Sequence, residues 1–251
     1  MRTLRFTGFT LLEYIRSGRV ALEIIATLVV YFIFLRRIGL RMNAEYFFSV
    51  TGIYTPALTL YTTAAFIGIG DRPQGYVLLS RGVSRANYLL GIFFSALVIV
   101  AGAYGLLSIM AALFNRPPDL DLVGWLMGTV PLLLNVGLLS ALMIMLSPLV
   151  FATGWRLFVL GLIALAFSSN FIGGTLLESL PESARTYLRA AQALLGGPLV
   201  PAFYGFQLAV TRDYTDPTAV VNLVAQASLL ISLLGLAIYS FSRRDLIFSH
   251  Q

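Results

Sequence analysis

The stretch Gly70–Gly91, GDRPQGYVLLSRGVSRANYLLG, separates two long apolar runs of the chain. Its charged residues are Asp71, Arg72, Arg81 and Arg85. A charge at the centre of a membrane span costs about 2.5–3.5 kcal/mol, so this stretch lies outside the hydrocarbon. Between the charges, residues 76–79 form a short apolar patch. The mixture predicts a connector along the membrane surface, which either is simply anchored there by its arginines or also offers a partner something to bind.

The apolar runs on both sides predict an all-α integral membrane protein. Of its residues 58% are hydrophobic and 11% are charged, whereas soluble domains carry about 25% charged residues. A bilayer needs about 20 apolar residues per helix. We predict six transmembrane helices in a single transmembrane domain over residues 1–251, at about residues 20–35, 46–69, 89–114, 122–145, 157–171 and 219–241.

Two further segments are apolar but are predicted not to span. Residues 2–17 have apolar residues at helical spacing and charges opposite them, which is typical of an amphipathic helix in the membrane interface. Leu4, Gly8, Leu11 and Ile15 form its apolar side. Residues 198–210 are too short to cross a bilayer, so we predict a re-entrant or interfacial segment before the last span.

The composition excludes several classes of site. The chain has no cysteine, and its single histidine is His250, so thiolate or imidazole metal sites and the usual catalytic triads lack their groups. All 17 basic residues are arginine, and a P-loop requires a lysine. We therefore expect no metal site, no catalytic residue and no cofactor bound by this chain. The arginines sit at span ends, which favours anionic lipid headgroups of the bilayer over nucleic acid.

Several polar residues fall inside the predicted spans. Glu23 is one turn after Arg19, which predicts an ion pair near the headgroups; a substrate or proton role is the alternative. A stripe on the second span consists of Thr51, Thr55, Thr59 and Thr62. It favours helix packing through hydrogen bonds over a substrate path or a dimer seam. For Asn135, Asn222 and Gln226, the two interpretations are helix packing and a substrate path.

The central stretch resembles the loop after the second span in type-2 ATP-binding-cassette (ABC) exporter permeases. The matching residues are Asp71, Arg72, Gly75, Leu78, Leu79, Arg81, Gly82, Ser84, Arg85, Tyr88, Leu89 and Gly91. The ending Phe-Ser-Arg-Arg-Asp-Leu, residues 241–246, is also similar to that family's C-terminus. The elbow helix and re-entrant helices of the family resemble residues 2–17 and 198–210 in layout.

The resemblance implies that the loop is a coupling helix that docks on a separate ABC ATPase subunit. Tyr76, Leu78 and Leu79 would be buried in that contact. Arg72, Arg81 and Arg85 would be oriented against acids of the ATPase. ATP and Mg²⁺ would be bound by the partner, and a second copy or a homologous permease would complete a dimer. Independently of the resemblance, the few charges in the predicted spans favour a hydrophobic or amphipathic cargo over a metal ion.

Charge and parity predict the topology. Six spans put both termini on one side, and the termini, the central loop and the turn at Arg156 hold ten of the 17 arginines, against seven in the opposite loops. Because cytoplasmic loops carry the excess of basic residues, we predict cytoplasmic termini in a cell membrane. A non-transporting scaffold subunit is the alternative function. An intramembrane enzyme would need paired carboxylates or histidines, and Glu23 is the only such group in the spans.

Overall fold

The computed structural model describes residues 2–36, 42–70, 83–151, 154–160, 186–187, 189–190, 193–194 and 200–243. These residues form helices and the turns between them, and none lies in a β-strand. The helices are α1 (Arg2–Arg16), α2 (Arg19–Val30), α3 (Ala44–Gly70), α4 (Arg85–Phe114), α5 (Leu122–Met145), α6 (Val200–Thr211) and α7 (Thr218–Arg243). A π-helical turn, Tyr31–Leu35, continues α2, and residues 154–160 are also helical.

Three of the described helices, α4, α5 and α7, are long and apolar enough to cross a membrane, and the bent pair α1–α2 would make a fourth if it is one span. These helices support a membrane-embedded protein. α3 has 27 residues, about 40 Å at 1.5 Å per residue, but its inner face is rich in threonine. The predicted span 157–171 overlaps helical residues 154–160, and residues 161–171 lie outside the described part. Six spans therefore stay a prediction.

α1 and α2 meet at an angle of 75°. Gly18 between them has φ +76°, a left-handed conformation that glycine adopts without a clash of Cβ. The hydroxyl side chains of Thr7, Thr10 and Tyr14 on α1 are buried and therefore face the bundle. Leu4, on the predicted apolar side, is 75% exposed. Of the predicted apolar side, Leu4 and Ile15 are exposed, whereas Leu11 is partly buried and packs against the core.

Side-chain caps explain where the long helices begin. The Ser84 hydroxyl accepts a hydrogen bond from the backbone N–H of Asn87, and Asp121 accepts one from Gly124. Such caps satisfy N–H groups that have no partner within the helix. The carboxylate of Asp119 accepts the backbone N–H of Ala44 at 2.9 Å. This last bond ties the start of α3 to the turn between α4 and α5.

Two hydrophobic clusters fill the described bundle. The first lies near the ends of the central loop and includes Tyr14, Phe66, Tyr88, Phe93 and Phe241. The second lies toward the opposite end and includes Tyr31, Phe47, Phe48, Tyr104 and Leu107. α3 packs on α4 and α5, while α7 packs on α5. α4 and α7 keep apolar outer faces, such as Ile231 at 68% exposure, which suit contact with lipid.

α6 overlaps residues 198–210, for which a re-entrant or interfacial position stays a prediction. α6 packs against α5 and α7 and also contacts α3. In the turn, the Tyr214 hydroxyl donates to the carbonyl of Met127 on α5. The hydroxyl and backbone N–H of Thr215 both donate to Asp213, and these bonds lower the pKa of that carboxyl. The contacts hold α6 in the bundle between the two flanking helices.

Candidate functional site

A hydrogen bond joins the two ends of the central loop. The Tyr88 hydroxyl, on the first turn of α4, donates to the carbonyl of Gly70, the last residue of α3, at 2.5 Å. Tyr88 is 2% exposed and its ring lies 6.3 Å from that of Phe241 on α7. Residues 71–82, which the bond brackets, lie outside the described part, and with them Asp71, Arg72, Gly75, Tyr76, Leu78, Leu79 and Arg81.

Arg85 is the one predicted coupling residue that the structure describes. Its Nη1 donates to the carbonyl of Phe241 at 2.8 Å and to that of Ser242 at 3.0 Å. A cation at the C-terminus of a helix is favoured, because the last carbonyls lack partners and carry partial negative charge. Arg85 thus joins the start of α4 to the end of α7. A contact between Arg85 and acids of an ATPase stays a prediction.

α1 lies along the first turns of α4. The Thr3 hydroxyl donates to Asn87 at 2.9 Å, and the rings of Phe6 and Tyr88 are 5.3 Å apart. We call Gly70, Arg85, Asn87, Tyr88 and Phe241 the base cluster. It brings α1, the ends of α3 and α7 and the start of α4 together on the side where the central loop leaves the bundle.

A second site surrounds Glu23, which is 2% exposed. Its Oε1 accepts hydrogen bonds from the Tyr14 hydroxyl at 2.6 Å and the Thr62 hydroxyl at 2.5 Å. Its Oε2 is buried and has no hydrogen-bond partner among the described residues. The Tyr14 ring stacks on Phe66 with centroids 4.3 Å apart. The site therefore combines one half-satisfied carboxylate with aromatic rings.

Glu23 belongs to a ladder of polar contacts between α2 and α3. The three residues that α2 contributes are spaced by four, so they share one face. The pairs are Arg19 Nη1 with the Ala65 carbonyl (3.1 Å), Glu23 with Thr62 (2.5 Å) and Thr27 with the Tyr54 hydroxyl (2.7 Å). The two helices run antiparallel along this ladder, since the numbers rise on α2 as they fall on α3.

The ladder differs from the predicted ion pair of Glu23 with Arg19. The guanidinium of Arg19 donates to a backbone carbonyl of α3, and the carboxylate accepts from two hydroxyls. The reason is the 75° bend, which folds Tyr14 back over Glu23. Glu23 is thereby enclosed in the bundle.

The threonine stripe of α3 lies inside the bundle. Thr51, Thr55 and Thr59 are fully buried, and each donates to the carbonyl four residues earlier, at 2.6–2.9 Å. Threonine hydroxyls commonly satisfy themselves in this way. Thr62 is the member that bonds across to α2. In this conformation the stripe is closed to a substrate or to a second copy.

Asn135 and Gln226 are brought together, whereas Asn222 is half-buried one turn before Gln226. Both members of the pair are buried. Gln226 Nε2 donates to Asn135 Oδ1, and Asn135 Nδ2 donates to the carbonyl of Gly205 at 3.4 Å. These bonds join α5, α6 and α7. Gln226 Oε1 is buried without a partner in the described part of the chain.

The sequence interpretation missed Tyr14, Thr27 and Tyr54, which complete the ladder. The spacing of Arg19, Glu23 and Thr27 was the available signal, because polar residues at i, i+4 and i+8 mark one helix face. Their partners on α1 and α3 have no such signal, since they depend on the bend and on tertiary packing.

Within the residues described, no group of three or more His, Cys, Asp or Glu side chains could hold a metal ion. The sites consist of hydroxyls, amides, one carboxylate and the two guanidinium groups of Arg19 and Arg85, a set suited to binding and to joining helices. In comparisons with known proteins, no family model, curated protein or solved structure matches this chain.

Proposed function

We propose that this chain is the membrane-spanning permease subunit of an ATP-driven ABC exporter. It would work as a dimer with a second copy or a homologous permease, in a cell membrane, with both termini in the cytoplasm. Separate ABC ATPase subunits would bind ATP and Mg²⁺ and dock on the loop of residues 71–82. The cargo would be hydrophobic or amphipathic.

The observation that carries the proposal is the base cluster. A coupling loop transmits motion only if its ends are fixed to the elements that must move. The Tyr88–Gly70 bond links both ends of this loop, and Arg85 links them to the end of α7. A displacement of the loop would therefore act on α3, α4 and α7 together. The resemblance of residues 70–91 to a coupling helix supports an ABC ATPase as the partner that moves the loop.

To change the conformation of the bundle, the loop must transmit a sufficient difference in binding free energy. A partner shifts a two-state element only by its difference in affinity for the two states. Moving an equilibrium from 1:99 to 99:1 requires about 5.5 kcal/mol. The hydrogen bonds at the base cluster contribute about 0.5–1.5 kcal/mol each, and those with a charged partner contribute about 1.5–3 kcal/mol. Together with the buried rings of Tyr88 and Phe241 they are of the required order.

A scaffold subunit that transports nothing is the second candidate. One observation favours it: the threonines at positions 51, 55 and 59 are fully buried and satisfied inside α3. A closed, tightly packed bundle is what a scaffold requires. An exporter would instead have to open this interior during its cycle.

Co-purification separates the two candidates. We expect the tagged full chain to retain an ATP-hydrolysing P-loop subunit, identified by mass spectrometry and by ATPase activity. Arg81→Glu or Leu79→Asp should lower the amount of that subunit at least tenfold, a change of 1.4 kcal/mol. Arg116→Glu is the matched control, because Arg116 is exposed in the turn between α4 and α5.

Two results contradict the exporter. One is an assembly without any ATP-hydrolysing chain. The other is an ATPase that stays attached equally to the wild type, Arg81→Glu and Leu79→Asp.

A further inference from the structure

We propose that the carboxylate of Glu23 is the binding site for the ammonium group of an organic cation, so that the exported cargo is a cationic amphiphile. The statement about cargo rests on the proposed function. The statement about binding does not, because it concerns a site within this chain.

The argument starts from the second oxygen of the carboxylate. An ionised carboxylate has about four acceptor positions. Oε1 uses two of them on Tyr14 and Thr62, and Oε2 is buried with no donor in the described part of the chain. An uncompensated buried charge costs several kcal/mol. A cation at Oε2 would remove that cost.

Neither of the two basic residues nearest in sequence donates a hydrogen bond to Oε2. Arg19, one turn earlier on the same face, donates to the Ala65 carbonyl. Arg16, before the Gly18 turn, is exposed. Intramembrane carboxylates usually pair with another group or mark the path of a ligand. The geometry around Glu23 fits the second case.

The surroundings favour an organic cation over a metal ion. No cluster of three acidic or metal-ligating side chains occurs in the described part, and divalent ions need several oxygen ligands. Aromatic rings, by contrast, attract ammonium groups. Tyr14 and Phe66 stack beside the carboxylate, and Tyr54 lies one step along the ladder.

The outer surface of α2 and α3 next to the site is apolar. α2 carries Ile24 and Ile25 on its outer face, at 45% and 60% exposure. On α3, Leu60 and Tyr61 are also exposed, close to Thr62. An amphiphile in the bilayer would meet this apolar surface with its tail. Its head would reach Glu23 by parting the polar ladder between α2 and α3.

The test is direct binding of a defined probe to the purified full chain in nanodiscs of phosphatidylcholine, with no ATPase present. The probe is radiolabelled decyltrimethylammonium below its micelle concentration. The comparator is the decyl sulfobetaine, which has the same tail and ammonium but no net charge. We expect the wild type to bind the cation at least tenfold more tightly than the sulfobetaine.

Glu23→Gln keeps the size of the side chain and removes its charge, and we expect at least a tenfold loss of affinity for the cation alone. Glu13→Gln removes a half-buried carboxylate from α1 and should stay within twofold of the wild type. Glu23→Asp should keep the preference for the cation at lower affinity.

Three results overturn the proposal. The first is a wild type without preference for the cation, which needs no variant to fold. The second is a Glu23→Gln variant that binds the cation like the wild type. The third is an equal loss of both probes, which would show that Glu23 only holds the helices together. None of these results bears on the attachment of an ATPase, so the exporter proposal stands or falls separately.

Discussion

Replacing Gly205 by alanine tests whether the polar junction of α5, α6 and α7 is packed as tightly as the structure shows. A Cβ at this position would clash with Oε1 of Gln226 and would lie 2.6 Å from its Cδ and 2.7 Å from its Nε2. Gln226 is fully buried, and its amide is bonded to Asn135. Either the amide must leave Asn135, or α6 must move away from α7.

The expected cost follows from these two effects. Overpacking of a filled interior costs about 1–3 kcal/mol, and loss of one hydrogen bond costs about 0.5–1.5 kcal/mol. Alanine in a helix returns about 1 kcal/mol relative to glycine. A net loss of about 2 kcal/mol lowers the Tm by about 4–8 °C for a chain of this size.

Thermal unfolding of the purified chain in detergent measures this loss. Gly102→Ala in α4 is the matched control, because a Cβ there meets nothing within 4 Å; its Tm should be unchanged or raised. In a Gln226→Ala background the obstacle is gone, so Gly205→Ala should cost less than in the wild type. The reasoning is refuted if Gly205→Ala is as stable as Gly102→Ala, or if its cost is the same in both backgrounds.

Two further substitutions test the ladder and the base cluster. Thr62→Val removes a donor to Glu23 and should lower the free energy of unfolding by about 1–3 kcal/mol, since a buried carboxylate loses a partner. Thr55→Val removes only a bond within its own helix and should lower it by less. Chemical unfolding of both variants checks this order. Tyr88→Phe removes the bond to Gly70 and should lower the free energy of unfolding by about 0.5–1.5 kcal/mol, with faster hydrogen exchange at the end of α3 as the local signature.

The sequence predicted the helices where apolar runs have clear ends. The span 122–145 agrees with α5 at both ends, because Asp121 caps its start. The prediction for α4 began four residues too late. Its first turn contains Arg85 and Asn87, whose polarity masks a helix that the Ser84 cap starts earlier. Hydropathy locates the apolar part of a helix, and a cap extends the helix beyond it.

The sequence identified polar residues of the site but not their partners. From their spacing alone, we predicted an ion pair between Glu23 and Arg19. The 75° bend at Gly18 and the packing of α3 determine that Tyr14 and Thr62 bond its carboxylate instead. Those contacts join residues nine and 39 positions apart, a distance over which helical periodicity carries no information.

Four buried side-chain oxygens lack a hydrogen-bond partner in the described part of the chain, and two of them, Oε1 of Gln226 and Oε2 of Glu23, belong to the candidate sites. Oε1 of Gln226 belongs to a neutral amide, so its cost is about 1–3 kcal/mol, and Gly205 packs directly against it. The packing of three helices at this junction can offset a free-energy cost of that size. Oε2 of Glu23 belongs to a group that carries a full charge when ionised, in a seam that polar side chains bridge. Charge distinguishes the two: the amide fits a structural role, and the carboxylate fits a ligand that brings the missing positive charge.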